Sequence, residues 1–127
     1  MKTDVRVRFA PSPTGLPHLG NIRSALFNYL FAKHNNGAFI VRIEDTDRER
    51  LVEGAEEYLA QTLEWLGLEP DEGPQHPSTK YGPYTQSQRL EKYKGYAELL
   101  VEQGVANREY SSSERLAELR KQAQVEK

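Results

Sequence analysis

Apolar and charged residues alternate at the start of the chain, Val5-Arg6-Val7-Arg8-Phe9, with the period of two expected of a strand. Pro11, Pro13, Gly15 and Pro17 then exclude helix, because proline fixes φ and lacks the N–H. From Leu19 the spacing turns helical: Leu19, Ile22, Leu26, Tyr29, Leu30 and Lys33 fall at steps of three and four. Asn36-Gly37 supplies a left-handed stop. Ala38-Phe39-Ile40-Val41-Arg42-Ile43 is a nearly continuous apolar run, as in a strand covered on both faces. Strand, helix and strand fit within roughly forty residues, the size of a βαβ unit, and such crossovers are right-handed. Ligands of parallel sheets sit at the carboxyl ends of the strands. The proline-rich loop and Glu44-Asp45-Thr46-Asp47 are both expected at that edge.

Beyond Asp47 the pattern predicts a second helix to Leu66, with Leu51, Ala55, Leu59, Leu63 and Leu66 inward and Gly67 ending it. Residues 67–84 read as a long loop. Thr85-Gln86-Ser87-Gln88 has the form of a capping box. It precedes a third helix that uses Leu90, Tyr93, Ala97, Leu100 and Val101 and stops at Gly104. A short strand is expected over 105–110. Ser111-Ser112-Ser113-Glu114 then caps a polar helix anchored by Leu116 and Leu119, expected to dock weakly or fray. Trp65 and the tyrosines at 58, 93 and 96 are expected in core or half-buried packing.

Composition narrows this picture. The 127 residues, 37% of them hydrophobic, suit one modest core. The absence of cysteine excludes disulfides, thiolate metal sites and thiol nucleophiles. No run approaches the ~18 apolar residues of a membrane span, and Met1-Lys2-Thr3-Asp4 leads straight into a strand-like segment rather than a signal peptide. A soluble, cytoplasmic protein is the expectation. The net charge of −2 argues against a globally basic nucleic-acid binder, but its distribution is uneven. Residues 1–50 carry eight Lys or Arg against five Asp or Glu, and residues 51–127 nine against fourteen, so a polyanion would meet the first part.

Candidate chemistry concentrates in that part. A stiff loop opening into a helix at His18-Leu19-Gly20-Asn21 directs N–H groups at one spot, and a helix N-terminus favours anions. His18 and Asn21, three apart, share a face. Gly20 lets a flat base or a phosphate approach the backbone. Fixed donors there would stabilise charge building on a nucleotide phosphate. Arg8 offers a planar fork for a carboxylate, or is a surface strand arginine with the same parity as Arg6. Ser12 and Thr14 either donate to a ligand or close local turns. Glu44 either accepts an ammonium group or sits at a helix start. Asp45 and Asp47 fit the capping role better than a metal site. His34 suits a helix C-terminus and His76 a loop, and neither has a partner at ligand spacing.

Arg8-Phe9-Ala10-Pro11-Ser12-Pro13-Thr14-Gly15 with Pro17-His18-Leu19-Gly20-Asn21 resembles the N-terminal signature of class I glutamyl-tRNA synthetases, with His18 to Asn21 in place of the "HIGH" motif. Ile43-Glu44-Asp45-Thr46-Asp47-Arg48 is similar to a second family motif. Gly82-Pro83-Tyr84 with Gln86, Ser87 and Arg89 is similar to a third. The resemblance implies an α/β fold: a Rossmann-like half domain of the HUP type, with a parallel sheet and flanking helices. Residues 1–104 would form that half, and 105–127 the start of the acceptor-binding insertion. It implies activation of glutamate with ATP and Mg²⁺ as a substrate complex, then transfer to tRNA. Arg8, Ala10, Ser12 and Glu44 would line the glutamate pocket, with Arg8 on the side-chain carboxylate and Glu44 on the α-amino group. Thr14, His18, Gly20 and Asn21 would hold ATP, with His18 and Asn21 serving catalysis.

The departures from the family matter too. Nothing resembles the lysine-bearing "KMSKS"-type loop or an anticodon-binding domain, so the chain reads as a catalytic fragment that is weak or inactive alone. Glu109-Tyr110-Ser111 stands where some members carry a zinc-binding Cys-x-Cys pair, so no protein-bound zinc is expected. Asn107 stands where relatives often have an aromatic residue. An exposed half-fold surface would favour self-association. Two other readings stay open: a relative that glutamylates a modified tRNA base, and a non-catalytic nucleotide-binding module.

Overall fold

The computed structural model describes residues 5–125; the opening Met1 to Asp4 and the last two residues of the expected insertion lie outside the described residues. Contacts divide the chain into two compact units, Met1–Leu90 and Glu91–Lys127.

The first unit is built on a βαβ crossover. Strand β1 (Arg6–Phe9) leads through the proline loop to helix α1 (Leu19–His34), which returns to strand β2 (Ala38–Val41). The strands are parallel, with Arg6 opposite Ala38 and Phe9 opposite Val41. Pairing continues beyond the strands, where the Arg42 N–H donates to Phe9 O and the Glu44 N–H to Pro11 O, at 3.0 and 2.9 Å. The turn into β2 uses both expected residues, for different reasons. Asn36 takes the positive φ of 50°. At Gly37 an added Cβ would overlap the Val5 carbonyl, so glycine is needed there for close approach.

The core lies between α1, β2 and helix α2 (Ala55–Trp65), with Phe39 fully buried among Phe9, Ala25, Ala32, Val41, Leu59 and Leu63. Helix α1 presents Ala25 and Ala32 to this core, with Tyr29 half-buried between them. The small residues let the helix approach closely, and the Tyr29 ring stands edge-on to Phe39 at 5.6 Å between centroids. Leu19, Leu26 and Leu30, part of the helical spacing in the sequence, point to solvent with Phe27 and Phe31. β2 is fully covered on one face only: Phe39, Val41 and Ile43 are buried, whereas Ala38, Ile40 and Arg42 are half-buried.

The second helix begins later than its spacing predicts. Arg48–Arg50 form one 3₁₀ turn. The Val52 N–H donates to Pro13 O at 3.0 Å, which ties this segment to the proline loop. Gly54, at φ 76°, then admits α2. Leu51 and Leu66 are therefore exposed, and only Ala55, Leu59 and Leu63 are buried. Trp65 is 83% exposed, contrary to its expected place in packing, and Tyr58 and Tyr96 are exposed as well. Gly67, at φ 69°, ends the helix as expected.

In the loop after Gly67 two short stretches line the free edge of β2, through parallel bridges Ile40–Glu72 and Ile43–Thr85. The expected capping box at Thr85 does not form. Thr85 precedes a 3₁₀ turn (Gln86–Arg89) without a side-chain cap. The Ser87 N–H is taken instead by the Asp45 carboxylate at 2.8 Å.

The second unit contains all but the first residue of α3 (Leu90–Glu102), stopped by Gly104 at φ 70°, and α4 (Ser113–Val125). No strand forms over 105–110 among the described residues, where the only sheet pairs β1 with β2. α4 is capped one residue later than the motif spacing predicts, with Ser112 Oγ accepting the Arg115 N–H at 3.3 Å. No helix among the described residues is long and apolar enough to cross a membrane.

Candidate active site

The loop after β1 encloses a cleft of about 310 Å³ with the start of α1, floored by Ile43, Ala55 and Leu59. Ser12, Thr14, His18 and Asn21 line it. Neither the Ser12 nor the Thr14 hydroxyl makes a hydrogen bond within the described residues, so neither is used to close a turn.

His18 and Asn21 form a reciprocal cap on α1. His18 Nδ1 accepts the Gly20 N–H at 3.0 Å, and Asn21 Oδ1 accepts the His18 N–H at 3.1 Å. With Nδ1 as acceptor, the neutral ring carries its proton on Nε2, which remains a donor. The Asn21 amide NH₂ makes no hydrogen bond within the described residues. Gly20 does not line the cleft. A Cβ on it would lie 2.8 Å from His18 Cε1, so its missing side chain is what allows the imidazole to fold back over the helix start.

Arg8, Ala10 and Glu44 also lie outside the cleft lining, on the continued strand pairing beside it. Arg8 Nη2 approaches Glu44 Oε1 at 3.7 Å, and Arg42 Nη2 holds the same oxygen at 2.7 Å. Sequence reasoning passed over Arg42, although a period of two puts it on the face of Glu44. Arg8 and Arg6 share parity but not circumstance. Arg6 is bound through both terminal nitrogens to Glu72, at 2.6 and 2.7 Å, and stacks on Tyr81 at 4.0 Å. Arg8 makes no hydrogen bond among the described residues.

The remaining motif residues brace the loops. Arg6 holds the Glu72 carboxyl below the usual carboxylate range, aided by the Tyr84 hydroxyl that donates to it. Burial and the Glu72 carboxylate push the Tyr84 phenol up. Arg89 donates to Tyr81 O and Pro83 O, at 3.2 and 2.8 Å. Burial alone would raise the Asp45 carboxyl, but its bonds to Ser87 bring it below the ordinary value. Asp47, expected as a cap, instead pairs with Arg50. No cluster of His, Asp or Glu among the described residues is arranged to hold a metal ion. A larger hollow of about 450 Å³ lies between α2 and residues 69–76. It contains none of the candidate residues, and its four glutamates, at 56, 57, 64 and 69, would repel a phosphate.

Residues 4–127 match the family described as tRNA synthetases class I (E and Q), catalytic domain. The chain is 61% identical over 122 residues to a glutamate–tRNA ligase of Dehalococcoides mccartyi, covering 96% of this chain and 25% of that protein. It is 59% identical over 116 residues to one of Chlorobium luteolum, covering 91% and 23%. The fold is similar to a glutamate tRNA ligase from Elizabethkingia meningosepticum, crystallised with its amino acid. The TM-score is 0.85 and the identity 47%, over 98% of this chain and 24% of that one. A glutamate-tRNA synthetase from Elizabethkingia anophelis gives a TM-score of 0.86 at 47% identity, over 98% and 25%. The chain thus spans about a quarter of the length of the curated relatives it matches.

Proposed function

The chain belongs to the catalytic-domain family of class I tRNA synthetases for glutamate and glutamine, and from that premise we propose that it carries the glutamate- and ATP-binding part of a glutamate–tRNA ligase. The reaction is attack of the glutamate α-carboxylate on the α-phosphorus of ATP. A P–O bond forms to the carboxylate, the bond to the bridging oxygen breaks, and pyrophosphate leaves with Mg²⁺. The adenylate then acylates the terminal adenosine of tRNA. No protein nucleophile is required; the work is positioning and stabilisation of developing charge.

In this reading Arg8 receives the side-chain carboxylate of glutamate and Glu44 its α-ammonium, with Ala10 and Ser12 beside them. Thr14, the His18 Nε2–H and the Asn21 amide face the nucleotide, and Gly20 keeps the His18 ring in place. Mg²⁺ arrives with ATP as part of the substrate. The partners are glutamate, ATP and tRNA, and the compartment is the cytoplasm. Residues 1–104 belong to the nucleotide-binding half, and 105–127 to the acceptor-binding insertion. The outward apolar side of α1 adds a tendency to self-associate.

One observation carries the reading. The Glu44 N–H is tied to Pro11 O, which puts Arg8 and Glu44 beside a cleft lined by donors with no hydrogen-bonding partner among the described residues. Calorimetric titration of the 127-residue chain with glutamyl-sulfamoyl-adenosine, a non-hydrolysable adenylate analogue, tests it. Saturable binding is expected, weakened but still measurable in Arg8→Ala, with little glutamate-dependent ATP–pyrophosphate exchange. Indifference of binding to Arg8→Ala would sink the assignment.

A further inference from the structure

Two arginines reach for one oxygen of Glu44, and they do so unequally. Arg42 Nη2 lies 2.7 Å from Oε1 in a hydrogen bond, while Arg8 Nη2 stands off at 3.7 Å, an ion pair without one. Oε2 of Glu44 receives no hydrogen bond from the described residues. The three side chains share a sheet face, since Arg8 is in register with Ile40, and Arg42 and Glu44 follow it at steps of two.

Arg42 is the more buried arginine, its side chain 19% exposed against 47% for Arg8. Its Nε is buried with no hydrogen-bond partner among the described residues. An unpaired buried N–H costs stability, so a purely structural ion pair is a poor account of this residue. Its geometry has a different consequence. A carboxylate facing one guanidinium accepts it in a two-bond fork. Without Arg42, Arg8 and Glu44 would close on each other in this way. The two poles meant for a zwitterionic ligand would then be neutralised internally.

We propose that Arg42 is a positioning residue: by occupying Oε1 of Glu44 it keeps Arg8 unclamped and Oε2 open, so that a ligand with an ammonium and a distal carboxylate finds both groups available. This rests on the proposed glutamate-binding reading. It adds that the spacing of the two poles is maintained by a third charge that does not itself contact the ligand.

The test is titration of the 127-residue chain and its variants with glutamyl-sulfamoyl-adenosine and, separately, ATP. Arg42→Met should weaken the analogue roughly tenfold to a hundredfold, the range for one hydrogen bond to a charged group. It should leave ATP affinity unchanged, which also reports that the variant is folded. Arg42→Lys, which keeps a cation on Oε1, should recover most of the loss. In an Arg8→Met background, Arg42→Met should cost little more, because its effect passes through Arg8. Equal analogue binding by the unaltered chain and Arg42→Met overturns the inference and leaves the glutamate reading standing. Additive losses in the double variant, or parallel losses for ATP, also overturn it. Failure of the unaltered chain to bind the analogue removes the glutamate reading and this inference with it.

Discussion

His18 uses one ring nitrogen on its own helix, and the other makes no hydrogen bond among the described residues. That division depends on Gly20, whose Cβ would meet the ring at 2.8 Å. Gly20→Ala should therefore release the cap, costing about 1 kcal/mol in chemical denaturation, and should weaken ATP binding in the same variant. Glu72 carries a different dependence. Its folded pKa is depressed, chiefly by the hydrogen bond from Arg6, so its contribution is present above the unfolded value and is lost as pH falls through the folded one. Asp71 follows the same sign: burial alone would raise it, but Lys33 and the Phe39 N–H outweigh that. Stability should be flat near neutrality and fall below roughly pH 4, where free carboxyl groups titrate. Glu72→Gln should lower the plateau and flatten the acid limb, as read by urea titrations across pH. An unchanged acid limb would exclude Glu72 as a source.

At the scale of elements, α1 separates what sequence patterning reveals from what it hides. Its limits were legible to within a turn, because Pro11, Pro13 and Pro17 disfavour any start before the last of them and Asn36 takes the left-handed stop. Its buried face was not. Apolar residues surround this helix, so period alone cannot choose a side, and contact with the sheet is made by Ala25 and Ala32, not by the larger Leu26 and Leu30. The late start of α2 was hidden for another reason: the tie between Val52 and Pro13 is tertiary, and Gly54 reads as an interior glycine until its φ is known. In the candidate site, the family signature pointed to Arg8, His18, Asn21 and Glu44. The competition between Arg8 and Arg42 for one oxygen needed coordinates. The outer side of α1 leads to a prediction. With Phe27 at 64% and Phe31 at 55% exposure one turn apart, the helix offers an apolar patch to solvent. Sedimentation velocity should show concentration-dependent association that Phe27→Ser with Phe31→Ser abolishes. These exposed changes should shift stability by no more than about 0.5 kcal/mol. Association that persists in the double variant would place the contact elsewhere.

For the sheet-bearing unit as a whole, β2 is the spine, with a regular strand on one edge and loop segments on the other. Its amide protons are therefore shared out by parity. Ala38, Arg42 and Glu44 donate toward the β1 side, to Val5, Phe9 and Pro11. Phe39, Val41 and Ile43 donate the other way, to Asp71, Glu72 and Tyr84. If the irregular edge opens without the rest of the fold, only the odd-numbered amides lose their acceptors. Deuterium uptake followed residue by residue by NMR should then alternate along this strand, faster at 39, 41 and 43 than at 38, 42 and 44. Replacing Glu72 should widen the contrast. Uniform uptake would mean that both edges open in a single cooperative event, and that the segment from Asp71 to Tyr84 is as firmly part of the sheet as the strand it faces.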